Sequence, residues 1–320
     1  MTGKDFLSDQ EVRWCPGCGD YSILKQFTEV LAAMGADPAN TVVVSGIGCS
    51  SRMPYYVNSY GIHSLHGRAP AIATGIKLAN PSLDVWLITG DGDALSIGGN
   101  HLIHALRRNV GVPILLFNNE IYGLTKGQYS PTSKPGLHTK STPTGSIDHP
   151  VNPLTLALGA AATFVARSMD RHPAHLREAL TASKQHAGAA LLEIYQNCNV
   201  FHDGAFDAFT DKKTQSDHAI FLQHGQPITF GADGQRALIL EGGQPVEVSL
   251  ADRSASECWI HDEADPMKAY ALARMVGDIR PFGILYREDR PTFESQVHAA
   301  AQNTRSIEEV FRLGRTWTVE

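Results

Sequence analysis

The chain has 320 residues, of which 42% are hydrophobic and 19% are charged, and its formal net charge is −6 at pH 7. This length is enough for one large α/β domain or two domains with a sizeable core. The negative charge argues against sequence-independent binding of nucleic acid, which needs many Lys and Arg residues against phosphates. The sequence contains no apolar stretch of about 18 residues, so we expect no membrane span. The N-terminus lacks the apolar segment of a secretory signal. We therefore expect a cytoplasmic protein.

Short apolar runs alternate with helical patterns along the first two thirds of the chain. The patterns predict strands at 41–44, 85–89, 113–117, 163–167 and 189–195, and helices at 20–35, 69–78, 95–109, 154–161 and 173–187. Residues 119–152 are rich in Gly, Pro, Ser and Thr, and a loop of that length is usually functional. The alternation predicts an α/β fold with a doubly wound, mostly parallel sheet that binds ligands at the carboxyl ends of its strands.

Residues 211–320 differ in character from residues 1–210. We expect residues 1–210 to form the catalytic domain and residues 211–320 to form a small C-terminal extension. Two short β runs joined through Gly242 and Gly243 predict a hairpin in the extension. Ser306 and Glu309 predict a capping box that begins a last short helix.

Four of the five cysteines have the spacing of metal ligands. Cys15 and Cys18 form a Cys-x-x-Cys pair, whereas Cys49 and Cys198 each follow a predicted strand. Four thiolates suit a [4Fe-4S] cluster, structural zinc is the alternative, and Cys15 with Cys18 alone could form a redox pair. The two isolated cysteines favour the cluster, because structural zinc usually uses two close pairs. Cys258 is predicted to be an ordinary cysteine without a metal.

An acidic motif, Gly90-Asp91-Gly92-Asp93, follows the predicted strand 85–89. Asp91 offers a carboxylate to a divalent cation, and the glycines allow a diphosphate to approach the backbone closely. Asn119 returns to the same sheet edge after one helix and one strand. An oxygen of Asn119 and the carbonyl of Ile121 would complete an octahedral Mg²⁺ site with phosphate oxygens and water. The alternative is a chance Gly-Asp-Gly turn.

Taken together, the motifs resemble a known family. The Gly-Asp-Gly and Asn-Asn pair is similar to the thiamine diphosphate motif, and residues 12–209 resemble the β subunits of the 2-oxoacid:ferredoxin oxidoreductases. The matching stretches are Trp14-Cys-Pro-Gly-Cys-Gly, Ser45-Gly-Ile-Gly-Cys-Ser, Leu65-His-Gly-Arg-Ala, Ala73-Thr-Gly-Ile-Lys-Leu-Ala-Asn-Pro, Gly90-Asp-Gly-Asp and Tyr122-Gly-Leu-Thr-Lys-Gly-Gln.

The resemblance implies three cofactors and their ligands. The [4Fe-4S] cluster would be held by Cys15, Cys18, Cys49 and Cys198, and Mg²⁺ would be held by Asp91, Asn119 and the carbonyl of Ile121. Thiamine diphosphate would contact Ile47, Gly48, Cys49, Ser50, His66, Gly90, Gly92, Asp93, Gly123 and Leu124.

The resemblance also implies the reaction and the partners. The enzyme would oxidatively decarboxylate a 2-oxoacid with coenzyme A and pass electrons to ferredoxin, in a reversible reaction. Thiamine diphosphate enzymes need a glutamate against the aminopyrimidine, and that residue comes from a second cofactor-binding domain, for which 320 residues leave no room. We therefore expect an α subunit as partner, in a heterodimer or an α2β2 assembly.

Two residues are predicted to take part in catalysis. His66 would bond a diphosphate or reacting oxygen, although a merely packed histidine is the alternative. Lys126 stands where pyruvate-specific members tend to carry glycine, so its cation could pair with the distal carboxylate of 2-oxoglutarate; otherwise it contacts only cofactor phosphates or solvent. Asp93 would either orient a cofactor group or cap helix 95–109.

Other functions stay open at this point. Within the family, the alternative substrates are pyruvate and other 2-oxoacids. A thiamine diphosphate decarboxylase without redox chemistry would have no use for four cysteines. A zinc-stabilised binding subunit without activity is the alternative of another class.

Overall fold

A computed structural model describes residues 1–301 and 306–313. The strands in chain order are β1 Thr41–Ser45, β2 Tyr60–His63, β3 Asp84–Gly90, β4 Pro113–Asn118, β5 Ile121–Tyr122, β6 Gln128–Tyr129, β7 Phe164–Met169, β8 Ala190–Tyr195, β9 Ala219–Phe221, β10 Thr229–Phe230, β11 Arg236–Glu241, β12 Gln244–Ser249 and β13 Arg280–Arg287. The helices are α1 Asp20–Ala33, α2 Met53–Tyr56, α3 Ala69–Ala79, α4 Asp91–Leu95, α5 Gly99–Arg108, α6 Pro153–Gly159, α7 Pro173–Gln185, α8 Asp207–Thr210, α9 Gln215–His218, α10 Pro266–Ala273, α11 Phe293–Ala301 and α12 Ile307–Leu313.

Eight strands form the main sheet in the order β2-β1-β3-β4-β8-β7-β13-β9. Neighbouring strands are parallel except for β13, which runs antiparallel to β7. The predicted doubly wound, mostly parallel sheet is therefore confirmed. Because the parallel strands point the same way, the loops after β1, β3, β4 and β8 all leave the sheet at one edge.

Helices cover both faces of the sheet, so alternate residues of its central strands enter two different cores. Val85 and Leu87 of β3 lie in the core on one face, whereas Trp86 and Ile88 lie in the core on the other. Strands that are buried on both faces read as continuous apolar runs. This burial explains why the sequence predicts these strands well.

The predicted helix 95–109 is wrong at its beginning, because the chain forms two helices there. The helix α4 begins at Asp91, and the chain turns at Ser96 before α5 begins at Gly99. A Cβ at Gly98 would lie 2.4 Å from the carbonyl oxygen of Asp93, so the turn requires glycine. Asp93 therefore lies inside α4 and does not cap helix 95–109.

The C-terminal region contains the predicted hairpin and the predicted capping box. Strands β11 and β12 pair antiparallel across Gly242 and Gly243, both of which have a positive φ. The backbone N–H of Ser306 donates to Glu309 at 3.0 Å, and Ser306 Oγ accepts from the Glu309 N–H at 3.2 Å.

Sequence patterns do not predict the edge strand β2 or the strands β9 and β13. Strands β9 and β13 add the chain after residue 210 to the main sheet. The boundary at 210 stays a prediction.

In the part of the chain that the structure describes, no helix is long and apolar enough to cross a membrane.

Candidate active site

A cleft of about 120 Å³ lies at the carboxyl edge of the sheet. Every residue that the sequence assigns to thiamine diphosphate or to Mg²⁺ lines it, including the turn Ile47–Ser50, His66, Gly90–Asp93, Asn119 and the segment Ile121–Leu124. Phe117, Tyr122, Thr125 and Gln196 complete its wall. The structure therefore gathers these residues from loops after β1, β2, β3, β4 and β8, although which of them bind a cofactor stays a prediction.

Asp91 begins α4 and is almost fully buried on one side of the cleft. One carboxylate oxygen, Oδ2, accepts hydrogen bonds from Ser130 Oγ at 2.5 Å and from Thr132 Oγ1 at 2.7 Å. Burial raises the pKa of Asp91 to about 6, against the opposing effect of these two hydroxyls. Sequence patterns do not single out Ser130 and Thr132, which come from the long loop 119–152. They orient the carboxylate that is predicted to bind Mg²⁺.

The turn after β4 presents two further oxygens. Asn119 Oδ1 accepts from the Ile121 N–H at 3.1 Å, and Asn119 Nδ2 donates to Gln196 Oε1 at 2.7 Å, so the amide orientation is fixed. The Ile121 carbonyl accepts from the Gly123 N–H at 3.1 Å. Each oxygen keeps a second lone pair. A carboxylate, an amide oxygen and a backbone carbonyl are the hard ligands that Mg²⁺ prefers, so the donor set fits this ion.

Asp93 is buried, and its hydrogen bonds connect α4 to the loops after β1 and β2. Its Oδ1 accepts from the backbone N–H groups of Ile47 at 3.0 Å and Gly67 at 2.7 Å, and Oδ1 lies 2.6 Å from His66 Nδ1. Its Oδ2 accepts from Thr89 Oγ1 at 2.7 Å. Both carboxylate oxygens are thus engaged by the protein, and Asp93 acts by positioning the turn after β1 and the ring of His66.

His66 lines the cleft next to Asp93. The side chain is 41% exposed, and Nε2 has no hydrogen-bond partner among the described residues. When the ring is neutral and Nδ1–H donates to Asp93, Nε2 is an acceptor; when the ring is protonated, Nε2–H is a donor. The Asp93 contact therefore orients the nitrogen that would exchange a proton with a bound group.

The four predicted cluster cysteines lie on loops that touch one another. A Cβ built on Gly123 would lie 3.5 Å from Cys198 Sγ and 3.6 Å from Cys49 Sγ, so both sulfurs flank this glycine. Cys18 Sγ accepts from Gln196 Nε2 at 3.2 Å, beside the loop that carries Cys198. The loops of Cys15 and Cys198 are joined by a 2.6 Å hydrogen bond from Asn199 Nδ2 to the carbonyl of Pro16.

Ionising the thiols of Cys18, Cys49 and Cys198 is unfavourable in the bare protein, because burial raises the pKa of each. Burial raises the pKa of Cys49 to about 12, and the nearby Asp20, Cys198 and Cys15 add to the effect. Burial also raises the pKa of Cys18, with Asp20 as the next cause. A bound cationic metal group would reverse this preference, because it stabilises thiolates. The site therefore fits a metal group that brings its own positive charge.

Within residues 1–301 and 306–313, no three His, Cys, Asp or Glu side chains are grouped so as to hold one metal ion. Whether the four cysteines bind a [4Fe-4S] cluster or zinc therefore stays a prediction. Cys258 is buried in the C-terminal region beside Trp259, whose backbone N–H donates to β11.

Lys126 lies at the rim and not in the cleft wall. It belongs to the tight loop between β5 and β6, where its N–H donates to the Gly123 carbonyl at 3.0 Å. Its side chain is exposed, and its φ of 81° falls in the left-handed region. A residue other than glycine costs about 1–2 kcal/mol in that region.

The fold and the cleft define a protein of the thiamine diphosphate-binding class. Residues 46–194 match the family model of the thiamine pyrophosphate enzyme C-terminal TPP-binding domain. Residues 252–302 match the model of the C terminus of the pyruvate ferredoxin oxidoreductase beta subunit.

Similar proteins narrow the class. The chain is 54% identical over 331 residues to the 2-oxoglutarate oxidoreductase subunit KorB of Mycobacterium tuberculosis, covering 99% of this chain and 88% of the relative. It is 49% identical over 190 residues to subunit beta of the 2-oxoacid:ferredoxin oxidoreductase 1 of Aeropyrum pernix, covering 59% of this chain and 60% of that one.

A solved structure, the 2-oxoglutarate:ferredoxin oxidoreductase from Magnetococcus marinus with 2-oxoglutarate, coenzyme A and succinyl-CoA bound, is 34% identical. Its TM-score is 0.81, and the match covers 99% of this chain and 97% of that one. The chain belongs to the family of 2-oxoacid:ferredoxin oxidoreductase β subunits, as the motifs predict.

Proposed function

We propose that this chain is the β subunit of a 2-oxoglutarate:ferredoxin oxidoreductase. With coenzyme A, the enzyme converts 2-oxoglutarate to succinyl-CoA and CO₂ and passes two electrons to ferredoxin. The observation that carries the proposal is the turn Ile47–Ser50, which lines the cleft while its Cys49 sulfur lies beside Cys198. One backbone segment thus serves both the carbon chemistry and the electron transfer.

Each cofactor has residues that suit it. Asp91, Asn119 and the Ile121 carbonyl would hold Mg²⁺ against the diphosphate, and Cys15, Cys18, Cys49 and Cys198 would hold a [4Fe-4S] cluster. Thiamine diphosphate, when bound, supplies the electron sink that decarboxylation of a 2-oxoacid requires.

The chain's own residues orient the reactants. Asp93 fixes the Ile47 N–H and the His66 ring, so that His66 Nε2 holds or moves a proton at the cleft. Gly123 lies between Cys49 and Cys198, because a methyl group at this position would be in van der Waals contact with both sulfurs. We assign the reaction to the cytoplasm, where thiols are kept reduced.

An α subunit would cover the mouth of the cleft. Apolar side chains stand exposed around it: Ile62, Leu65, Ile97 and Leu124, with Leu65 at 75%. Exposed apolar groups gathered at one place mark an interaction surface. The partner would also supply the glutamate for the aminopyrimidine. We expect the isolated β chain to be inactive and the α–β complex to be active; robust 2-oxoacid oxidation by the β chain alone would contradict the assembly.

Lys126 supports 2-oxoglutarate as the substrate. Glycine would fit its left-handed backbone without strain, yet the chain carries an exposed lysine directly after Thr125 of the cleft wall. The distal carboxylate of 2-oxoglutarate needs a cationic partner when it leaves water, whereas the methyl group of pyruvate does not.

The substitution Lys126→Gly tests this role without straining the backbone. Loss of a charge-assisted hydrogen bond of about 1.5–3 kcal/mol should lower kcat/KM for 2-oxoglutarate relative to pyruvate roughly ten- to a hundredfold. Lys140→Gly, at another exposed lysine of the long loop, is the control and should leave the ratio unchanged. An equal loss on both substrates would assign Lys126 to the cofactor or to the shared 2-oxoacid group.

The cluster is tested by iron and acid-labile sulfide content after anaerobic purification of the complex. We expect about four irons per β chain. Cys198→Ser should lower this content, while Cys258→Ser should not. Zinc in place of iron would favour the non-catalytic binding subunit.

A further inference from the structure

A second cavity, of about 650 Å³, lies behind the turn that follows β4. Asn118 and Glu120 line this cavity, whereas Asn119 and Ile121 line the cofactor cleft, so alternate residues of one turn face two different spaces. Its other walls come from β7, β8, the loop 149–155 and the connection from α10 to β13. Residues 1–210 and residues 211–320 therefore both contribute to this cavity, which is separate from the cofactor cleft.

Charged groups form the floor of the second cavity. Arg167 and Glu193 are both buried and form an ion pair at 2.6 Å between Nε and Oε2. Arg280 is also buried, and its guanidinium donates to Tyr195 Oη at 2.6 Å and to the carbonyl of Val276 at 3.0 Å. Burying charged groups is unfavourable in free energy, so we expect a cavity floor made of them to have a function.

Glu120 adds a hydrogen-bond acceptor that has no donor among the described residues. Its side chain is buried, lines the second cavity, and its Oε2 has no hydrogen-bond partner among the described residues. A φ of 56°, in the left-handed region, sends the side chain to this side of the turn. A buried carboxylate oxygen without a partner is unfavourable by about 1–3 kcal/mol or more. A ligand with an N–H or O–H group would satisfy it.

The rim of the cavity carries two further cations. Lys134 and Arg274 are exposed, and neither has a salt-bridge partner in the part of the chain that is described. Arg167 and Glu193 neutralise each other, so Lys134, Arg274 and Arg280 face only Glu120. The cavity is thus net positive, with cations at its mouth and one unsatisfied acceptor at its floor.

We propose that this cavity binds a small organic anion that also carries an N–H or O–H donor. The anionic group, a phosphate or a carboxylate, would lie between Lys134 and Arg274, and the donor would reach Glu120 Oε2. The volume is large enough for a nucleotide. A phosphate ester and a hydroxycarboxylate share this chemistry.

Occupancy of the second cavity would be felt at the cofactor cleft. Glu193 Oε1 accepts from Asn118 Nδ2 at 2.8 Å, and Asn118 Oδ1 lies 2.9 Å from Thr132 Oγ1. The same Thr132 hydroxyl lies 2.7 Å from Asp91 Oδ2, so the two acceptors compete for its one proton. A chain of polar contacts therefore joins the cavity floor to the carboxylate predicted to hold Mg²⁺, so the site suits an effector or a cosubstrate.

The test is calorimetric titration of the α–β complex with ADP and, separately, with malate. Saturating thiamine diphosphate and Mg²⁺ keep the diphosphate site filled, and no turnover is needed, so the result does not depend on the proposed reaction. We expect saturable binding of at least one probe, at one per β chain; ADP would identify a phosphate ligand and malate a carboxylate ligand.

The double variant Lys134→Gln with Arg274→Gln should weaken that binding at least about tenfold, since each cation contributes a charge-assisted contact. The control, Lys212→Gln with Lys213→Gln, removes the same charge from an exposed surface elsewhere. Hydrogen exchange should show protection by the bound probe at 132–135 and 149–155. The proposal is overturned if neither probe binds saturably, if both double variants bind like the wild type, or if protection falls only on the cofactor cleft.

Discussion

The substitution Thr132→Val should weaken Mg²⁺-dependent binding of thiamine diphosphate, and more so as the pH falls. Thr132 is buried, and valine has nearly its shape, so the main change is loss of the hydroxyl. That hydroxyl contacts both Asp91 Oδ2 and Asn118 Oδ1. In the variant, Asn118 Oδ1 still accepts a hydrogen bond from the Glu120 N–H at 3.2 Å. Asp91 Oδ2 still accepts a hydrogen bond from Ser130 Oγ. The variant therefore mainly reduces the stabilisation of ionised Asp91.

The magnitude follows from the Asp91 carboxyl, whose pKa burial raises to about 6. A hydrogen bond to a charged group contributes about 1.5–3 kcal/mol, so its loss should raise the pKa by about one to two further units. Mg²⁺ requires the ionised carboxylate, and its apparent affinity falls as pH drops through the pKa. We expect an affinity loss of roughly five- to fiftyfold at about pH 6, and of at most about twofold at about pH 8.

The assay is reconstitution of the cofactor-depleted α–β complex with thiamine diphosphate at fixed Mg²⁺, followed by calorimetry at both pH values. Thr132→Ser keeps the hydroxyl and serves as the matched control. If Thr132→Val had the pH profile of the wild type, or lost the same affinity at both pH values, Thr132 would not act through ionisation of Asp91.

Three further outcomes follow from the contacts. Asp93→Asn keeps the shape but weakens three charge-assisted hydrogen bonds by about 1 kcal/mol each, so kcat/KM should fall by up to about a hundredfold while iron content is unchanged; loss of iron would contradict a local effect. Arg167→Met leaves Glu193 buried and unpaired and should destabilise the complex by about 3–5 kcal/mol in chemical denaturation, whereas a small change would mean that water reaches the pair. In the bare protein, burial raises the pKa of Cys49 to about 12, so alkylation of Cys49 should be slow at neutral pH and faster as pH rises, measured by mass spectrometry on the metal-depleted complex; rapid alkylation at neutral pH would show an open thiolate.

The sequence predicts the strands and the positions of the site loops well, for a physical reason. Parallel strands buried on both faces must be apolar along their length, as in β3 and β4, so their ends are visible as the first polar or glycine residues. Parallel strands also share one carboxyl edge. Asp91 and Asn119 could therefore be brought together from sequence spacing alone.

What the sequence does not predict is which atoms support the ligands. Ser130 and Thr132 contact Asp91 across about forty residues of chain, and nothing in their loop distinguishes them from its other hydroxyls. The sequence leaves open whether Asp93 orients a cofactor group or caps helix 95–109, because the residue pattern does not show the turn between α4 and α5. The sequence does not predict β13 because Pro281 and Gly283 interrupt its apolar run.

Two side chains, Asp93 and Trp14, hold the turn that lies between the cofactor cleft and the predicted cluster site by hydrogen bonds to its backbone. The turn Ile47–Ser50 is held at its beginning by the Ile47 N–H bond to Asp93 and at Cys49 by a 2.7 Å bond from Trp14 Nε1 to the Cys49 carbonyl. Trp14 directly precedes Cys15, so the loop that carries the Cys-x-x-Cys pair is hydrogen-bonded to the turn that lines the cofactor cleft. Loss of the Trp14 indole N–H would therefore shift Cys49 relative to both sites at once, although Trp14 would ligate no metal.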